Sequence, residues 1–218
     1  MTSLSTTANV SAKATPKYGA AFFEHLWRGA GVQAVAFALV GLAVFRIQPF
    51  IAAPILGLAI LNLTWWAASV RTTLADAGLD GWGAAATAAS SALAGIFFVL
   101  VALATTTASL AGTGNDAFVS GLNQLGSSLF VLSSFPRAML VMAPTFGFWR
   151  AGLISDKQFV VGVALVILGV LGGTTWIDGT VWSPDGLFAR IIWPALGLAF
   201  VVAASRVQNR APSTKTGF

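Results

Sequence analysis

Cysteine is absent from this chain, which excludes disulfides, thiol nucleophiles, thiolate zinc sites and iron–sulfur clusters together. Histidine is nearly absent. The single residue, His25, cannot build a multi-histidine metal or haem site and reads as an interfacial residue at a helix end. Charge is scarce too: 9% of the 218 residues are Asp, Glu, Lys or Arg, while 56% are hydrophobic. A soluble domain of this size carries roughly 25% charged residues. So few charges cannot clothe a surface in water, and lipid is the expected solvent for most of the chain. The length fits one domain of packed helices without a second, soluble one.

Several functional classes fall with these shortages. The seven acids, Glu24, Asp76, Asp80, Asp116, Asp156, Asp178 and Asp185, avoid the apolar runs. No acid–acid or acid–histidine pair is therefore available inside a span, which argues against a carboxylate-driven proton pump or an intramembrane metalloprotease. All four lysines, Lys13, Lys17, Lys157 and Lys215, sit in tails or loops, so a retinal Schiff base is not expected. No GxxxxGK[ST] phosphate loop occurs. The two halves show no evident inverted repeat of the transporter kind. Although the formal charge is +5, the basic residues are scattered singly or in pairs and make no patch for nucleic acid. We expect a non-enzymatic protein with no metal and no cofactor.

What the chain does have is six apolar runs of membrane-spanning length: about 29–47, 51–70, 83–110, 118–149, 158–177 and 186–205. The expected fold is all-α, a polytopic bundle of six transmembrane helices within residues 18–207. Residues 1–17 are expected as a disordered cytoplasmic tail and 208–218 as a second cytoplasmic tail. No short apolar core with a cleavage site appears near the start, so no cleaved signal peptide is expected. Six crossings put both termini on one side. That side would carry Lys13, Lys17, Arg28, Arg71, Arg150, Lys157, Arg206, Arg210 and Lys215, the other only Arg46 and Arg190. The imbalance predicts cytoplasmic termini. Eight tryptophans fall near proposed span ends, as an interfacial belt would place them. The segment YGAAFFEHLWRG (18–29) reads either as an interfacial helix or as an extension of the first span.

Small residues give candidate helix-packing positions. In the third span Ala88 and Ala92 lie four residues apart; in the fifth, Gly169 and Gly173 do the same. The fourth span is the unusual one. It is about 48 Å long at 1.5 Å per residue, far beyond a roughly 30 Å hydrocarbon core, so it must tilt, bend or project. Pro136 and Pro144 supply bend points, and a kink or break near Pro136 is expected. Its first half carries Ser120, Asn123, Gln124, Ser127 and Ser134, read as a polar stripe.

At the end of that stripe stands Arg137, more than fifteen positions from any acid. An arginine at the centre of a span costs about 2.5–3.5 kcal/mol on insertion scales. Its guanidinium is expected to turn into the bundle towards Ser134, Ser127 and Asn123. The groups that could neutralise it are backbone carbonyls freed by Pro136, hydroxyls, water, an anionic ligand or lipid, or an acid of a partner. Arg137, Ser134, Ser127, Asn123 and Gln124 are thus the candidate ligand- or partner-contact residues.

The fourth-span sequence LGSSLFVLSSFPRAMLV, followed by FWRAGLIS and later by DGLFARIIWPALGLAFVVAASRVQNR, resembles an uncharacterised family of bacterial six-helix integral membrane proteins known as a domain of unknown function. The similarity covers roughly 25–208. In that family the loop after the fourth span reads Arg-x-Gly-x-Leu-Pro-Arg. Here Arg150, Gly152 and Leu153 are followed by Ser155, Asp156 and Lys157, without the proline. The resemblance implies a six-helix fold and a bacterial inner (cytoplasmic) membrane, and no activity. The expected function is an interaction or accessory subunit of a membrane complex, surrounded by lipid and paired with another membrane protein or a second copy. The alternative is a transporter or receptor for a small anionic or amphipathic ligand, such as an anionic lipid, held between the fourth span and its neighbours. A lipid-modifying enzyme comes third.

Overall fold

A computed structural model describes residues 20–176 and 180–210, with side chains from Gly29 onward. The expected tail at 1–17 and the side chains of His25 and Trp27 lie outside the described residues. Among the described residues the chain is helical with no strand: α1 (Ala20–Phe45), α2 (Pro49–Asp76), α3 (Asp80–Leu110), α4 (Asp116–Leu132), α5 (Ser134–Arg150), α6 (Asp156–Gly172) and α7 (Trp193–Arg210), the last entered through a π-helical turn at Phe188–Ile192. The six apolar runs correspond to α1, α2, α3, the α4–α5 rod, α6 and α7. Four stretches are long and apolar enough to cross a membrane: Pro49–Asp76, Asp80–Leu110, Asp116–Arg150 and Phe188–Arg210; Gly29–Phe45 is a shorter apolar helix.

Local chemistry sets the turns. Pro49 opens α2 at a position where a missing N–H costs nothing. Two helices end by one device. The Leu79 N–H bonds the Leu74 carbonyl at 2.8 Å across Gly78, and the Leu153 N–H bonds the Phe148 carbonyl at 2.8 Å across Gly152. Both glycines are left-handed, with φ of 74° and 70°, as this closure requires. Ser155 then starts α6 with a reciprocal capping box to Gln158. Because α1 is continuous from Ala20, the segment before the first span extends that helix rather than forming a separate one.

The main core joins α1, α2, α3, α5 and α7 around Trp66, Val70, Leu74, Leu93 and Phe148. This corrects one expectation: Trp66 is 0% exposed and Trp193 1%, so these two indoles are core residues and not part of an interfacial belt. A Cβ on Gly169 of α6 would lie 2.6 Å from the Trp193 ring and 2.9 Å from Ala138 Cβ; one on Gly173, which caps the end of α6, would lie 2.6 Å from the Phe135 ring. The glycines therefore let α6 approach α5 and α7 within this chain. Ala88 and Ala92 do not act this way. They are exposed, and α3 buries Gly83, Ala86, Ala89, Ser90 and Leu93 instead. The stretch is rich in small residues all round, so four-residue spacing alone could not select the packed face. Boundaries also move: α2 continues to Asp76, past 70, α6 ends at Gly172, short of 177, and α7 continues to Arg210, through the first residues of the expected tail.

Candidate functional site

Pro136 has no N–H to give the Leu132 carbonyl, and the helix is interrupted just there: α4 ends at Leu132, Ser133 is a turn and α5 begins at Ser134. Ser133 keeps near-helical dihedrals (φ −61°, ψ −13°), so the rod is broken in its bonding more than in its direction. The expected break is present, three residues before the proline.

Helical side chains slant back towards their own N-terminus, which carries Arg137 towards α4 and away from Arg150. Its Nη2 donates to the Phe130 carbonyl at 2.9 Å and to Ser134 Oγ at 3.1 Å, and its Nε donates to the Ser133 carbonyl at 3.3 Å. The guanidinium also stacks over the Phe130 ring, 4.6 Å from its centre. The bound carbonyls belong to the turns around the break, not to Leu132, the group Pro136 leaves without a backbone donor. Among the described residues Arg137 has no carboxylate partner; the ion pairs are Arg71–Asp80 and Arg190–Asp185.

Beside Arg137 lies a cavity of about 470 Å³ between α1, α2, α3, α4, α5 and α7. That volume is within the usual range of small-molecule sites. Its walls are apolar, with Leu42, Leu56, Phe97, Leu100 and Leu198 as examples, and its polar lining is Thr107, Asn123, Ser127, Arg137 and Arg190. Of the sequence-derived candidates, Arg137, Ser127 and Asn123 therefore meet at one cavity. Ser134 is 2% exposed and bonds Arg137 from behind. Gln124 departs from expectation: it is exposed and does not line the cavity, because one residue beyond Asn123 is a rotation of about 100°.

Arg190 and Phe130 were not foreseen at the site. Pro194 cannot donate to the Arg190 carbonyl, and the chain widens into a π turn in which the Trp193 N–H bonds the Phe188 carbonyl. From that turn Arg190 pairs with Asp185, donates to Ser127 Oγ at 3.3 Å, and lies 5.5 Å from the centre of the Phe130 ring. Two guanidiniums thus flank one phenyl ring at the cavity wall, and only one has a carboxylate. Fields in so apolar a space act at low effective dielectric, so the unpaired positive charge favours an anion there. The polar groups of the lining are two guanidiniums, an amide and two hydroxyls. Among the described residues no group of three His, Asp or Glu could hold a metal. No family model, no curated protein and no solved structure matches the chain.

Proposed function

We propose that this chain is a non-enzymatic multi-pass protein of a bacterial inner membrane that holds a small anionic or amphipathic ligand beside Arg137, as a transporter or receptor does. Six crossings with both termini in the cytoplasm is the topology that goes with it, from the positive-inside count. One observation carries the reading: an arginine without a carboxylate opens onto an apolar-walled cavity. A guanidinium that only capped its own helix would need no such space in front of it. Native mass spectrometry of the gently solubilised protein tests this. A bound anionic small molecule should be present in wild type and lost in Arg137→Leu; a bare wild-type chain would count against it.

The accessory-subunit reading keeps one specific support. Ala88 and Ala92 are exposed and Gly95 faces open space, leaving a small-residue surface on α3 that another helix could approach closely. The same spectra distinguish the two, since a partner chain and a bound small molecule differ in mass by orders of magnitude.

A further inference from the structure

The cavity is unevenly walled. α1, α2 and α3 form a packed arc and α7 closes against α1, whereas α4 leans on α3 and touches α5 only lightly. Within α4 only Val131, at its very end, is buried. Helices with few buried contacts are the ones that open at low free-energy cost. Between α4 and the π turn that leads into α7, Arg190 donates to Ser127, and at 3.3 Å this bond is beyond the ordinary N–H···O range. The charges are equally informative. Arg190 already has Asp185, so the site as a whole carries one uncompensated positive charge, that of Arg137. One negative charge neutralises it, while a dianion would leave excess charge among apolar walls, which is costly.

We infer that the ligand is a long-chain monoanion drawn sideways from the bilayer between α4 and α7, its charged head at Arg137 beside Phe130, its chain along the apolar arc, and the Arg190–Ser127 bond the latch across its path. This rests on the site reading above. A carboxylate amphiphile and a phosphodiester lipid share the required chemistry, and both supply a single charge on a long apolar chain.

The test locks the gap. Gly126 on α4 and Gly197 on α7 line the cavity, and a Cβ on either meets nothing within 4 Å, so cysteines fit at both in this cysteine-free chain. Gly126→Cys/Gly197→Cys is joined by a flexible bis-maleimide in nanodiscs, with each single variant treated alike. Binding and exchange of pyrene-labelled hexadecanoate, phosphatidylglycerol and phosphatidylcholine are followed by energy transfer from tryptophan; Trp193 lines the cavity. At least one monoanionic probe should bind ten-fold or more tighter than the zwitterion, and which one does so identifies the source. Locking should slow its exchange at least ten-fold relative to each single variant carrying the same maleimide adduct. Exchange unaffected by the lock would overturn the sideways route while leaving the site reading intact. Equal binding of the zwitterion would overturn the charge assignment. No binding of either anion to the unlocked protein would remove the site reading and this inference with it.

Discussion

Arg137→Leu separates binding from folding. The side chain gives up three hydrogen bonds, at 2.9, 3.1 and 3.3 Å. Counting the two bonds within the ordinary range at about 1.5 kcal/mol each, the low end for a charged donor, that is a loss of about 3 kcal/mol. The contact with Phe130 adds about 0.5–2 kcal/mol more. Against this, removing the guanidinium from an apolar span recovers about 2.5–3.5 kcal/mol of insertion cost. The acceptors are not orphaned either: the Phe130 carbonyl keeps the Ser133 hydroxyl at 2.6 Å, and the Ser133 carbonyl keeps the Arg137 backbone N–H at 3.1 Å. The opposing contributions nearly cancel, so the leucine variant should unfold within about 2 kcal/mol of wild type.

Binding should respond differently. Losing a hydrogen bond to a charged group costs about 1.5–3 kcal/mol, or about 10- to 150-fold in affinity. Arg137→Lys should fold like wild type and still bind more weakly, because an ammonium lacks the planar fork that holds a carboxylate or phosphate. Thermal unfolding in detergent and titration with hexadecanoate give both quantities on the same samples. A leucine variant that melts far below wild type, while the lysine variant matches wild type in melting and binding, would make Arg137 a backbone clamp and refute the ligand reading.

Three further outcomes are expected. Gly169→Leu should destabilise by about 1–3 kcal/mol in a thermal melt, because even its Cβ lies 2.6 Å from the Trp193 ring; Ala88→Leu, on the exposed face, should stay within about 0.5 kcal/mol, and a larger loss there would mean that this face is covered. Gly152→Ala should cost about 1 kcal/mol by the same measurement, since its φ of 70° disfavours any residue with a Cβ. Single cysteines at 114–117 or 180–184 should react with an impermeant thiol reagent in intact cells, while those at 77–79 or 155–158 should not; the reverse pattern would overturn the six-crossing topology.

The helical layout was legible because it follows from quantities that sum along the chain. Twenty apolar residues in a row make a helix whatever their neighbours are, and Gly78 and Gly152 mark where two of those helices stop. The phase of each helix was much less legible. Where side chains are apolar all round, as in α2 and α3, period carries little information, so the buried Trp66 and the exposed Ala88 and Ala92 look alike in sequence. Gly169 differs because its flanks are bulky, and a glycine between a leucine and a valine has few roles besides close approach.

The site was half legible for a related reason. Arg137 was conspicuous because charge is rare where it sits, and its helix alone brings it to Ser134 and leads back to Ser127 and Asn123. Arg190 gave no such signal, since an arginine at a span end is ordinary and the residue it reaches, Ser127, is 63 positions away. Its one local mark is Pro194, four residues on, which leaves the Arg190 carbonyl without its helical donor and opens the π turn that aims the side chain at the cavity. Pro136 stands in the same relation to Leu132, and its break is where Arg137 finds its carbonyls. In both places a proline disturbs the backbone close to a guanidinium, and both guanidiniums meet on Phe130. A single stray arginine in a span is a packing problem with several cheap solutions. Two of them on one ring, with one carboxylate between them, leave a charge that the described chain does not neutralise and a cavity in which an anion would.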